Sequence, residues 1–366
     1  MFTIKVDHEI TLHLIQENHH HDLFTLIETS RDHLREHMGA NLAQDKAEVH
    51  QLCLRSKKLF AENGAIITLI TYQGKTAGLI NIQDRTGEGI SGAEIGYWLG
   101  KDFIGKGIIT RAAKTLTDYA FKHWDVQRVF LGIATDNPRS IAVAERLGFT
   151  IEGTLRQNDK INGKWVDHQI YTMLKQEWQH PQEPPILRYQ LDDRLDLRLV
   201  EKQHAQTIFD ACNANREHIG KFLPWIDNTK SVDDTMGFVE ESLTQYGNND
   251  GWQAGIWHDN QLVGMIGYLF WNTVNHHTEI GYWLAESATG QGIMTRCARE
   301  LTRYAFETVK LNRVVIRCDV DNHASAGVAK RLGYQHEGIE RQGIKSRDRY
   351  VNVHVYSLLA EEWQNS

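Results

Sequence analysis

The chain is poor in the residues that announce several common chemistries. Its four cysteines, Cys53, Cys212, Cys297 and Cys318, are scattered without a CxxC pair, which leaves no disulfide framework and no zinc-ribbon spacing. They are expected to be reduced and mostly structural. No apolar run approaches the roughly 20 residues that span a bilayer, and Met1 to Ile10 lacks the apolar stretch of a signal peptide. The expected address is the cytoplasm, away from membranes. A basic excess is also missing. The net charge of -7 argues against direct nucleic-acid binding, where phosphates need a cationic face, and suits a cationic substrate.

Metal-site patterns are absent as well, despite 19 histidines. His19-His20-His21 and His276-His277 come with neither HExxH nor a Cys/His ligand spacing, and His204-Ala205-Gln206 stands in the second half where the first has the triple His. No metal is expected. There is no GxxxxGK[ST] phosphate loop and no GxGxxG fingerprint either.

What the chain does have is a long internal repeat. Glu94-Ile95-Gly96-Tyr97-Trp98-Leu99 returns 185 residues later as Glu279-Ile280-Gly281-Tyr282-Trp283-Leu284. The same offset relates the segment GKGIITRAAKTLTDYAF starting at Gly105 to GQGIMTRCARELTRYAF starting at Gly290, and DNPRSIAVAERLGF from Asp136 to DNHASAGVAKRLGY from Asp321. This period is far beyond that of solenoid repeats, so it marks a duplicated domain. A chain of 366 residues also exceeds what one hydrophobic core supports. The expected organisation is domain 1 over 1–179, a linker over 180–186 and domain 2 over 187–366. The linker holds three of the five prolines, Pro181, Pro184 and Pro185, which favours extended backbone.

Within the first copy, alternation predicts strands over Phe2 to Val6 and Thr11 to Ile15, then helices over about His19 to His37 and Asp45 to Glu62. A hairpin follows, with strands Ala65 to Thr71 and Thr76 to Ile82 flanking Tyr72-Gln73-Gly74-Lys75. Next come a strand over Glu94 to Leu99, a helix over Gly107 to His123, a strand over Arg128 to Ala134 and a helix over Pro138 to Leu147. Two closing strands are expected over Phe149 to Leu155 and Val166 to Leu174. This order indicates an α+β fold around a mixed sheet.

Gly105-Lys106-Gly107-Ile108, and Gly290-Gln291-Gly292-Ile293 in the second copy, join a strand to a helix. Glycines there let backbone approach a ligand, and the helix start offers N–H groups to a phosphate. The alternative is a tight turn. With EIGYWL before this loop, and DN-x-x-S and RLG[FY] after it, both halves resemble the GNAT N-acetyltransferase superfamily, in particular its RimL-like branch of ribosomal-protein-serine acetyltransferases. The resemblance implies two tandem domains, each a mixed, mostly antiparallel sheet flanked by helices. It further implies acetyl-CoA as donor and an amine acceptor, a protein N-terminus or a small amine. The duplication leaves two organisations open, two working halves or one catalytic half beside a degenerate cofactor-binding or dimer-mimicking half, and a pseudo-dimer of the halves is the expected packing.

By the same resemblance the pyrophosphate of acetyl-CoA lies on Phe103, Ile104, Gly105, Lys106, Gly107 and Ile108. The second copy offers Ala288, Thr289, Gly290, Gln291, Gly292 and Ile293. Its pantetheine arm runs along Gly96, Tyr97, Trp98 and Leu99, or Gly281, Tyr282, Trp283 and Leu284, and meets Asn137 or Asn322, whose alternative role is helix capping. The strand tyrosines and tryptophans also read as packing residues. Asp102 and Ser287 stand where many superfamily members carry Gln or Arg. Asn215 to Trp225 looks like the RimL-type helix with its Leu-Pro-Trp ending. Arg31 to Ala40 replaces it in the first copy, so the two acceptor grooves are expected to differ.

Transfer of acetyl to an amine needs a base, a polarised carbonyl and a proton for the thiolate. Glu94 and Glu279 are the candidate bases, their alternative being solvated strand carboxylates. Backbone N–H groups near Trp98 and Trp283 would polarise the carbonyl. The tyrosine common in the superfamily seven residues after the asparagine is replaced by Ala144 and Ala329. The resemblance therefore turns to Ser140 and Ser325 as proton donors, against a helix-start role for both.

Overall fold

Alternating side chains fix the first sheet. β2 (Ile10–Leu14) buries Ile10, Leu12 and Leu14 while Thr11 and His13 turn away. It pairs antiparallel with β1 (Thr3–Lys5) and with β3 (Ile66–Tyr72), which in turn pairs with β4 (Lys75–Asp84) through the Gln73-Gly74 turn, both residues at positive φ. β5 (Ala93–Leu99) follows antiparallel, and β6 (Arg128–Ala134) lies parallel to β5. β7 (Thr150–Ile161) and β8 (Lys164–Leu174) close the sheet in the order β1-β2-β3-β4-β5-β6-β8-β7. The computed structural model describes residues 1–39, 42–86, 92–179 and 185–364. Residues 180–184 of the expected linker, and Ala40, lie outside them.

Four helices complete this half. α1 (His20–Met38) buries Leu23, Leu26, Ile27, Ser30 and Leu34, the three-and-four spacing of a single face. α2 (Lys46–Asn63) starts at Asp45, whose carboxylate accepts from the Glu48 N–H, and ends at Gly64 in the left-handed region. Together they pack on Ile67, Leu69, Leu79 and Trp98. α3 (Ile108–His123) buries Ile108, Ala112, Leu116 and Ala120. α4 (Pro138–Arg146) carries Pro at its first position, where no N–H is needed.

The second half repeats this plan with β9 (Tyr189–Gln190), β10 (Leu195–Leu199), α5 (Ala205–Ala214), α6 (Arg216–Gly220), α7 (Val232–Gly247), β11 (Gln253–His258), β12 (Gln261–Asn272), β13 (His277–Leu284), α8 (Ile293–Tyr304), β14 (Arg313–Asp319), α9 (His323–Arg331), β15 (Gln335–Ser346), β16 (Arg349–Leu359) and α10 (Ala360–Gln364). Its sheet has the matching order, and β13 and β14 are its parallel pair. The compact units run over Met1–Leu187 and Arg188–Ser366. No helix among the described residues is long and apolar enough to cross a membrane.

Two departures from the sequence reading concern the closing hairpin and the first helix. β7 extends to Ile161 and β8 begins at Lys164, so the hairpin is longer than the expected strands and turns at Asn162-Gly163, with φ of 49° and 82°. That dipeptide is the two-residue turn signal, and it carries the pairing past Leu155 and Val166 to Ile161 and Lys164. The segment equivalent to α1 breaks at Asn215 into α5 and α6 and is followed by a 3-10 turn from Pro224 to Asn228. The hairpin tip is fastened to this segment in each half by an equivalent residue. Asn162 Nδ2 donates to the Arg35 carbonyl at 2.7 Å, and Arg347 pairs with Asp227 at 2.7 Å.

Candidate functional site

The site is made by strands that part. β5 and β6 pair only through Ala93–Val129 and Glu94–Phe130, and β13 and β14 through the three residues ending at Glu279–Val315. Beyond each glutamate the sheet opens. Gly100 N–H donates to Ala77 O, and Ala285 N–H to Val263 O. Since alternate residues of an antiparallel ladder share one partner, Gly96 and Trp98, or Gly281 and Trp283, direct their N–H groups to β4 or β12. The backbone groups turned to the gap are those of Tyr97 and Leu99, and of Tyr282 and Leu284. The N–H groups of Trp98 and Trp283 themselves are committed to the sheet.

At the open end of the gap, a 3-10 turn (Lys101–Phe103, or Glu286–Ala288) leads through Ile104 or Thr289 to the glycine loop. Gly105 and Gly107 have φ of 78° and 68°, and Gly290 and Gly292 both have 73°. A side chain at any of the four would meet nothing within 4 Å, so these glycines answer to backbone conformation, not crowding. Gly107 and Gly292 occupy the N-cap positions and supply no capping side chain. The first-turn N–H groups of α3 and α8 therefore face outward without a side-chain acceptor, an arrangement that receives an anion. Lys106 adds a cation in the first half, its ammonium 5.4 Å from the centre of the Phe103 ring. Gln291 replaces it and bonds the Ser287 carbonyl.

Across the gap stand the asparagine and serine of each half. Asn137 Oδ1 accepts from Ser140 N–H at 3.2 Å, and Asn322 Oδ1 from Ser325 N–H at 3.1 Å. Both asparagines cap their helices, so what each has to give a ligand is its amide N–H₂. Tyr282 and Ser325 meet through their hydroxyls at 2.9 Å. The Tyr97 hydroxyl reaches the Ser140 carbonyl at 3.4 Å. Burial raises both phenols, Tyr97 to about 12, and keeps them protonated. The tyrosines thus carry a polar contact beyond packing, whereas Trp98 packs on the α1–α2 core. Ala144 and Ala329 are fully buried.

The two glutamates occupy equivalent places with different neighbours. Glu94 Oε2 accepts from Arg85 Nη2 at 2.9 Å and from Nε at 3.1 Å. Arg85 follows β4, its N–H donating to Gly92 O; Asn272 is the residue opposite the corresponding His277. Glu279 lies 3.7 Å from Arg317 Nη1 on β14, and Arg317 also pairs with Glu340 on β15. Gly132 stands at that place in the first half, where an added side chain would approach Glu94 Oε1 and His168 Nδ1. Non-equivalent arginines therefore serve equivalent carboxylates. Burial raises the proton affinity of Glu279 above the usual range, against the opposing pull of Arg317. The repeat offers no signal for this exchange, since each arginine is missing from the other copy. Among the described residues no group of three or more His, Cys, Asp or Glu side chains could hold a metal ion.

A parted sheet, a glycine-held helix start and a strand carboxylate are what a group-transfer enzyme with an anionic, extended donor requires. The Acetyltransferase (GNAT) domain pattern matches residues 9–150 and again 194–335. The chain belongs to this family and is an N-acetyltransferase with two tandem domains. YdaF of Bacillus subtilis (strain 168), provisionally named a ribosomal N-acetyltransferase, is 34% identical over 175 residues, 48% of this chain and 96% of that protein. The ribosomal-protein-serine acetyltransferase of Escherichia coli (strain K12) is 29% identical over 171 residues, 47% of this chain and 96% of that protein. A solved structure of RimL, a ribosomal alpha-N-protein acetyltransferase in complex with coenzyme A, is 27% identical, with a TM-score of 0.46 over 48% of this chain and 99% of its own.

Proposed function

We propose that each unit binds acetyl-CoA in its strand gap and transfers the acetyl group directly to a primary amine, in particular the N-terminus of a protein. The observation that carries this reading is the coincidence, in both units, of a gap opening immediately after the glutamate with an uncapped helix start at its mouth. Names of relatives point to ribosomal proteins as acceptors.

Acetyl-CoA supplies an activated thioester when bound. The α3 and α8 first turns would hold its pyrophosphate, and the amides of Asn137 and Asn322 would donate to its pantetheine arm. Tyr97 or Leu99 N–H, and Tyr282 or Leu284 N–H, would polarise the thioester carbonyl. Glu94 and Glu279 would take the proton of the attacking amine, and Ser140 and Ser325 would protonate the departing thiolate. An α-amino group has a pKa near 8, so a base at the gap removes the main obstacle at neutral pH.

Incubating the full chain with acetyl-CoA and a panel of N-terminal peptides and small amines, read by mass spectrometry, tests this. Acetylated α-amines support it. Acetylation confined to lysine side chains or small polyamines would replace the protein N-terminus with another acceptor class.

A further inference from the structure

Ser140 and Ser325 sit on the first turns of α4 and α9, where a serine hydroxyl is free to rotate among several partners. A proton donor in that position needs its hydrogen aimed into the gap, and something must occupy the oxygen's other side. In the second unit that something is Tyr282, 43 residues away in sequence and on the facing strand, with its hydroxyl 2.9 Å from Ser325 Oγ. Tyr97 stands 43 residues before Ser140, but its hydroxyl donates to the Ser140 main-chain carbonyl at 3.4 Å. Tyr97 points away from the α1–α2 side that Trp98 packs against, since successive strand residues alternate.

We propose that Tyr282 is a positioning residue for proton delivery in the second unit: its phenol donates to Ser325 Oγ, leaving the serine's own hydrogen directed at the leaving sulfur. The inference rests on the acetyltransferase reading given above. In the step, the amine lone pair forms the C–N bond, and the C–S bond breaks with its electron pair passing to sulfur. The thiolate collects the serine proton, the amine's proton passes to the glutamate, and solvent returns a proton from glutamate to serine. The tyrosine stays neutral throughout, consistent with its burial. Fully buried Ala144 and Ala329 provide no alternative hydroxyl on the helices. Cys318 also lies in hydrogen-bond reach of Ser325, and burial raises its thiol, so it stays protonated.

The test is a double-mutant cycle in the full chain, with Glu94→Gln leaving the second unit to be read: Tyr282→Phe, Ser325→Ala, and both together, each read for kcat and for KM of acetyl-CoA. Tyr282→Phe should lower kcat about tenfold while KM stays within about twofold, the size of one lost hydrogen bond to a reacting group. In the Ser325→Ala background the same change should have no further effect. An additive loss in that background, a KM effect without a kcat effect, or unchanged kcat overturns the proposal while leaving the acetyltransferase reading standing. A wild-type chain that releases no thiol with any amine overturns both. A loss of melting temperature equal in all variants, with kcat per folded molecule unchanged, identifies a packing role and also overturns it.

Discussion

Arg317 Nη1 lies 3.7 Å from Glu279 Oε2, and the position of Arg317 in the first unit is Gly132. The first unit brings Arg85 to Glu94 from the opposite neighbouring strand instead. A carboxylate that needed only solvent would not require a guanidinium rebuilt from a different place. At Glu279, whose side chain is 16% exposed, burial raises the carboxyl above its usual range and Arg317 opposes that rise.

The sign of the resulting pH effect follows. A base works in its ionised form, so activity climbs as pH rises through its pKa. Arg317 lowers that pKa against the raising effect of burial. Replacing Arg317 with Gln, in a chain where Glu94→Gln leaves the second unit to be read alone, should move the acid limb of kcat/KM to higher pH. An unmoved limb would remove Glu279 as the base.

The loop glycines are predicted to matter through backbone conformation. An L-residue in the left-handed region costs about 1–2 kcal/mol, and the space around Gly107 and Gly292 excludes a steric explanation. Gly107→Ala with Gly292→Ala should lower the melting temperature by a few degrees and raise KM for acetyl-CoA several-fold. Calorimetry and initial rates would check both parts, and an unchanged KM would detach the loop from donor binding.

The two roles of Asn137 and Asn322 are separable. Alanine removes the cap as well as the amide, and should cost about 1 kcal/mol of stability per site. Aspartate keeps the capping oxygen but has no N–H₂ to donate, so Asn137→Asp with Asn322→Asp should leave stability near that of the parent chain. KM for acetyl-CoA should still rise by about tenfold, corresponding to roughly 1.4 kcal/mol. Equal KM for parent and aspartate variants would leave capping as the asparagines' whole task.

The sheet, its helices and the glycine loop were legible because each is written locally, in alternation, three-and-four spacing and turn dipeptides, and because the duplication wrote each twice. The strand positions of Glu94 and Glu279 were legible for the same reason. The arginine exchange was not, since Arg85 and Arg317 occupy positions that do not correspond in the two copies. Nor did the pattern reveal which strand amides face the gap. That depends on the pairing of Gly100 with Ala77, a long-range register that no local residue choice encodes. Tyr97 and Tyr282 read as packing residues because alternation predicts which side they face and not what their hydroxyls meet. The extent of the closing hairpin was lost where exposed residues of β7 end the apolar pattern before the Asn162-Gly163 turn.

The central claim is that both units transfer acetyl through their glutamates. It is tested most directly by the rate of free-thiol release from acetyl-CoA, with a peptide amine the chain accepts, for the parent, Glu94→Gln, Glu279→Gln and the double variant. Each single variant is predicted to retain the activity of the untouched unit, and the double variant to fall by at least about 10²-fold, the usual worth of a general base. A double variant as active as the parent, or a parent that releases no thiol with any amine, would contradict the account.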